Sequence, residues 1–135
     1  MSLEPNNNPD TSDLEVVEVV LGESMVTVAI FPSNYFSNDP SSREVMAEVE
    51  RRKLQDPEKD IMNTLLDSRS PAEFVESPLV GIFDIVQGPI TRGGRVVNCT
   101  VQDGDGRKNG QNYLMARWLR NCRFAAVVSK RPLWS

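Results

Sequence analysis

One stretch of the chain, residues 78–107, limits the possible folds more than any other. It contains two apolar runs rich in β-branched side chains, at residues 79–86 and 95–101, separated by a connection with a double glycine. β-Branched residues and alternating apolar positions are typical of strands. An Asp-Gly-Asp-Gly sequence at 103–106 then supplies the positive φ angles of a tight hairpin turn. The pattern predicts an antiparallel meander whose third strand begins within residues 112–119.

The chain before this meander predicts a second hairpin, with strands at residues 13–20 and 25–31. The extreme N-terminus has three consecutive asparagines and no apolar cluster, which is typical of disorder. We therefore predict a disordered tail at residues 1–12 and a single domain at residues 13–135. The expected fold class is α+β, with a curled antiparallel β-sheet and a helical insertion.

Two helices are predicted between the hairpin and the meander, at about 41–54 and 57–67. Ser41 and Glu44 have the spacing of a capping box, in which the hydroxyl and the carboxylate each accept a hydrogen bond from a free backbone N–H group. Asp56, followed by proline, predicts the N-cap of the second helix. The sequence thus places both helices before the meander rather than between its strands.

The residue types that most enzymes need are missing. The chain has no histidine, which is the commonest general base, and no nucleophile elbow or phosphate-binding loop. Cys99 and Cys122 are too far apart for the short spacing of zinc ligands. We therefore expect a non-catalytic protein with no cofactor and no bound metal. Because no long apolar run is present, we expect no membrane association and a location in the nucleus or cytoplasm.

Charge is distributed unevenly along the chain. Residues 1–90 hold 17 acidic and 6 basic residues, whereas residues 91–135 hold 2 acidic and 9 basic residues. The two parts therefore carry net charges of −11 and +7, and the whole chain carries −4. A basic segment of this kind indicates either an anionic partner or charge pairing within the protein, and the sequence leaves both open.

The basic C-terminal third also contains aromatic residues. Cations neutralise phosphates and aromatic rings stack on bases, which is the combination that single-strand binding requires. The residues that we expect to contact nucleic acid are Arg92, Arg95, Arg107, Lys108, Tyr113, Arg117, Trp118, Arg120 and Arg123. The alternative is that Trp118 belongs to the hydrophobic core and that the arginines form a solvated rim.

The order of elements in the meander resembles part of the oligonucleotide-binding (OB) fold of replication protein A and telomere-capping subunits. The positions that carry the resemblance are Gly81, Val97, Cys99, Val101, Asp103, Gly106 and Trp118. The resemblance implies an OB-like barrel with a helical insertion. It also implies a non-catalytic binding subunit that contacts single-stranded nucleic acid within a protein complex.

A protein partner or a homo-oligomer is expected on separate grounds. The apolar runs at residues 25–31 and 124–128 predict surfaces that a partner covers. The alternative function is therefore a protein-interaction adaptor whose basic C-terminal third docks on an acidic partner.

Overall fold

The structure, a computed structural model, describes residues 9–86 and 94–134. The strands are β1 Glu15–Leu21, β2 Ser24–Phe31, β3 Leu79–Ile85, β4 Val96–Gln102, β5 Arg107–Tyr113 and β6 Arg123–Pro132. The helices are α1 Ser42–Arg51 and α2 Lys59–Asp67, followed by a short 3-10 helix, Pro71–Phe74. The α+β class is confirmed.

The strands form one mixed sheet in the order β1-β2-β6-β3-β4-β5. All neighbouring pairs are antiparallel except β3 and β6, which run parallel over residues 79–81 and 123–125. The sheet is therefore mixed: the predicted antiparallel pairing is found in four of its five strand pairs, and the exception arises because the last strand inserts between β2 and β3. Within the described ranges β1 and β5 are edge strands that do not pair with each other, so the sheet is open and no barrel closes.

The two helices lie on opposite faces of the sheet. Successive side chains of a strand point to opposite faces, and those of β2 divide accordingly. Ala29 and Phe31 belong to the apolar cluster that includes α1, while Val28 and Ile30 belong to the cluster that includes α2. We call these the α1 face and the α2 face. Burial on both faces explains why β2 is apolar over most of its length and β6 is apolar over residues 124–128.

The capping box that begins α1 is confirmed, and α2 ends at Asp67 as predicted, but α1 ends earlier and α2 begins later than predicted. Ser41 Oγ accepts from the backbone N–H of Glu44, and the Glu44 carboxylate accepts from the backbone N–H of Ser41, both at 3.1 Å. The helix ends at Arg51, before Lys53, which has a φ of 62°. Glu58 is the N-cap of α2, so the prediction of Asp56 at that position is wrong.

Strand β5 begins earlier than predicted. Asp103 Oδ1 accepts hydrogen bonds from the backbone N–H groups of Asp105 and Gly106, at 2.8 and 3.1 Å. These two hydrogen bonds close a tight turn, so Arg107 already pairs with Gln102 in β4. The predicted start within residues 112–119 is wrong. Residues 114–122 lie outside the helices and strands, apart from a single bridge at position 117.

The apolar runs at residues 25–31 and 124–128 occupy the central strands β2 and β6. Phe31 and Phe124 are almost completely buried, and so are the alanines and most of the valines of these two runs. The expectation that these runs form exposed surfaces for a partner is wrong, because the two helices already cover them. No helix in the described part of the chain is long and apolar enough to cross a membrane.

The predicted N-terminal tail falls mostly outside the described residues, which begin at position 9. Within it, the backbone N–H of Asp10 donates to the carbonyl of Arg52 at 3.1 Å, and the Arg52 guanidinium donates to the carbonyl of Asp10 at 3.1 Å. The guanidinium also pairs with Asp13. The chain entering β1 is thus tied to the end of α1.

Candidate functional site

Several of the predicted nucleic-acid contacts are engaged within the protein itself. Arg92 lies outside the described residues. Three of the other arginines form ion pairs with acidic residues from the first two thirds of the chain. These pairs are Arg107–Asp67 at 2.9 Å, Arg117–Glu44 at 3.2 Å and Arg123–Glu73 at 3.5 Å. Internal pairing therefore accounts for part of the charge asymmetry in the sequence.

Arg123 and Trp118 have clear structural roles. The guanidinium of Arg123 lies 5.1 Å from the ring centroid of Phe74 and donates to the carbonyls of Glu73 and Ser77. Trp118 is half-buried, and its ring meets Phe124 edge-on. Its Nε1 donates to Ser42 Oγ at 2.8 Å. This indole packs against the α1 core cluster, which leaves little of its face for stacking on a base.

The remaining predicted cations do not form one patch. Arg95 is exposed just before β4, and Lys108 is exposed on β5. Because side chains alternate along a strand, Lys108 points away from the face of its neighbour Arg107, which contacts α2. Arg120 is exposed in the connection after β5, where its side chain donates to the carbonyl of Ser37.

A different set of polar side chains forms a continuous row on the α2 face. Gln111 Nε2 donates to Asn98 Oδ1 at 3.2 Å, and Asn98 Nδ2 donates to Asp84 Oδ1 at 3.1 Å. This row crosses β5, β4 and β3. One step along the strands, Thr100 Oγ1 donates to Asn109 Oδ1. The amides are held in fixed positions and still have unused donors and acceptors.

Tyr113 extends this polar surface along β5. It lies on the same side of the strand as Asn109 and Gln111, opposite Val96 in the register, and 45% of it is exposed. We call the surface formed by Asp84, Asn98, Asn109, Gln111 and Tyr113 the amide face. It therefore combines an accessible ring with amide and carboxylate groups.

A cavity of about 410 Å³ opens onto the amide face. The Phe83 ring and Lys59 of α2 line it together with the amides. Of the residues on this surface, only Tyr113 was predicted from the sequence. The uninterrupted polar run along β5 is a signal for such a surface, but the partners on β4 depend on the register of the strand pair.

A second cavity, of about 600 Å³, lies between α1 and the sheet. We call it the α1 groove, and the residues that line it are Arg43, Met46, Ala47, Val49, Glu50, Leu54, Gln55, Asp56, Ile85 and Leu114. Burial, together with the nearby charges of Asp84 and Glu50, raises the pKa of Asp56 to about 6. Within the described ranges no hydrogen bond or ion pair holds this carboxyl.

We expect Asp56→Asn to raise the free energy of unfolding at pH 7 by about 1–2 kcal/mol. The folded-state pKa of Asp56, about 6, exceeds its ordinary value of 3.8. Ionisation of this carboxyl therefore destabilises the folded state progressively as the pH rises from 3.8 to about 6, and the destabilisation is complete above pH 6. This difference in pKa is worth at most about 3 kcal/mol, which solvent screening of a half-buried group reduces. Chemical denaturation should show the gain at pH 7 and little gain at pH 4. An equal gain at both pH values would contradict the account.

Comparison of the chain with known protein families, with curated proteins and with solved structures finds no match. A functional assignment therefore depends on the geometry of the described residues.

Proposed function

We propose that this protein is a non-catalytic binding subunit that contacts single-stranded nucleic acid through the amide face, within a protein complex. The observation that carries the proposal is the hydrogen-bonded row of Gln111, Asn98 and Asp84, on the same face as the exposed ring of Tyr113. A row of fixed polar groups beside a ring on an open sheet surface is suited to unstacked bases.

Each part of this surface has a defined task in the proposal. Tyr113 stacks on a base, which every base permits because each has a π-face. The free amide donors and acceptors of Asn98 and Gln111 bind base edges, and Asp84 accepts hydrogen bonds from exocyclic amino groups. Lys59, which lines the adjoining cavity, and the exposed Arg95 contact the phosphates.

The resemblance to OB-fold subunits supports the proposed mode of binding. OB folds bind single strands on a curved sheet surface that carries aromatic residues. The open sheet of this protein presents an aromatic residue and amides on β4 and β5 and a carboxylate on β3, without the closure of a barrel among the described residues. We therefore propose that this protein shares with OB folds the binding of single strands on a sheet face, but not the barrel.

The proposal predicts a shallow salt dependence. Two phosphate contacts, from Lys59 and Arg95, give a slope of log affinity against log salt of about −1.4. If all seven cations that the sequence nominated contacted phosphates, the slope would be about −5. Fluorescence anisotropy with a labelled single-stranded oligonucleotide across a salt series separates the two arrangements.

Removal of the Tyr113 ring should weaken this binding strongly. We expect Tyr113→Ala to cost about 1–3 kcal/mol, roughly 5- to 150-fold in affinity, because one stacked base is lost. Trp134→Ala is the matched control, since Trp134 is 72% exposed but lies at the end of β6, next to Leu133, which bonds to the β1–β2 turn. Equal affinities of the two variants in the same anisotropy assay would count against the amide face.

The adaptor function has one observation in its favour. In the connection between β5 and β6, Met115 and Leu119 are 61% and 66% exposed, close in sequence to the basic residues Arg117 and Arg120. Exposed apolar side chains beside arginines are typical of protein-docking surfaces. Absence of nucleic-acid binding at low salt would leave this surface, and an acidic protein partner, as the better assignment.

A further inference from the structure

The α1 groove has an apolar floor and a fixed wall. Met46, Val49, Leu54 and Ile85 provide apolar surface along its length. The segment that carries Asp56 is anchored to the sheet, because Gln55 exchanges two backbone hydrogen bonds with Val127, at 2.9 and 2.8 Å. A volume of about 600 Å³ is within the range that accommodates small organic ligands.

The charges of the groove are separated along α1. Arg43 and Glu50 both line it and are seven residues apart on the helix, which corresponds to about 10 Å at 1.5 Å per residue. Asp56 joins Glu50 among the lining residues, and Asp84 lies near enough to influence its carboxyl group. Neither the Arg43 guanidinium nor the Asp56 carboxyl has an ion-pair partner in residues 9–86 and 94–134. The groove therefore offers one cation and, about two helical turns away, two carboxylates.

We propose that the α1 groove binds an ω-amino carboxylate, a small zwitterion whose two charged ends are joined by a methylene chain. Its ammonium group pairs with Asp56 and Glu50, and its carboxylate pairs with Arg43. The methylene chain lies on Met46, Val49 and Leu54. An unpartnered, half-buried carboxylate is costly, and an ammonium group removes that cost by forming a charge-assisted hydrogen bond.

Calorimetric titration with 6-aminohexanoate tests the proposal, with hexylamine and hexanoate as ligands that each carry one charged end. We expect the zwitterion to bind at least tenfold more tightly than either comparison ligand. Asp56→Asn should weaken binding of the zwitterion, the double variant Glu50→Gln/Asp56→Asn should reduce its affinity to that of hexanoate, and Arg43→Gln should reduce it to that of hexylamine. Lys108→Gln, which removes an exposed cation on β5, should leave the affinity unchanged. No binding at millimolar concentration, or equal binding of all three ligands, would overturn the proposal.

The pH dependence gives an independent readout. The Asp56 carboxyl must be ionised to bind the ammonium group, so affinity should fall about tenfold between pH 7 and pH 5. Glu50 and Asp84 are the other carboxylates near it, and Arg43 is the cation that lines the groove. Asp56→Asn should abolish this dependence. Persistence of the full pH dependence in Asp56→Asn would show that another group is responsible and would contradict the assigned site.

Discussion

Replacement of Arg52 by alanine should lower the free energy of unfolding by about 3 kcal/mol, because it removes the buried guanidinium at the centre of an ion-pair network. Arg52 is only 7% exposed, and its guanidinium pairs with Asp13 at 2.6 Å and with Glu48 at 3.3 Å. It also lies 5.8 and 5.2 Å from the ring centroids of Phe31 and Tyr35. The substitution removes the charge, the ring contacts and the link between α1 and the chain entering β1.

Arg51 provides the matched control for this prediction. It pairs with the same Glu48 at 2.6 Å. The hydrogen bond from Arg51 is the main reason that the pKa of Glu48 falls to about 2, and hydrogen bonds from Tyr35 and Arg52 contribute to the same shift. Its own side chain is 64% exposed, however, so solvent screens the pair and Arg51→Ala should cost far less than Arg52→Ala. Urea denaturation of the two variants measures the difference. Similar costs for both would show that burial of Arg52 contributes nothing.

Substitution of Gly81 by alanine should lower the free energy of unfolding by about 1–3 kcal/mol through overpacking. A Cβ atom at Gly81 would lie 2.5 Å from Met62 Sδ and 2.6 Å from its Cγ. Met62 on α2 is completely buried, so its side chain can move away only by repacking against its neighbours in the core. Gly81 thus permits the close contact between α2 and β3 that closes the α2 face.

A double-mutant cycle isolates this contact. Met62→Ala alone should cost about 2–5 kcal/mol because it leaves a cavity. In that background Gly81→Ala should cost much less than in the native protein, since the clash is gone. Gly110→Ala on β5 is the control, because nothing lies within 4 Å of a Cβ atom there, and its effect on stability should be small. Additive costs of the two substitutions would contradict the packing described here.

The features that the sequence predicted well are those set by neighbouring residues. The capping box joins Ser41 and Glu44, three positions apart, and the turn is closed between Asp103 and Gly106, also three positions apart. Apolar patterning located β2, β3 and β4 within a few residues. The insertion of β6 between β2 and β3 was not predictable in this way, because it joins segments about a hundred residues apart in sequence.

The candidate site shows the same limit. The composition of the C-terminal third nominated Arg107 and Arg117 as cations for phosphate, but their partners Asp67 and Glu44 lie 40 and 73 residues earlier in the chain. Charge counting cannot distinguish a paired arginine from an available one. The row of Gln111, Asn98 and Asp84 likewise depends on the register of three strands, which polar composition alone does not specify.

The most direct test of the proposed binding function is an NMR titration of isotope-labelled protein with a single-stranded oligonucleotide at low salt. Side-chain amide resonances report on Asn98, Asn109 and Gln111 separately from the backbone. We predict saturable shifts of these resonances and of the Tyr113 amide, with little change for residues 114–122. Shifts confined to residues 114–122, or no shifts at all, would contradict the assignment of nucleic-acid binding to the amide face.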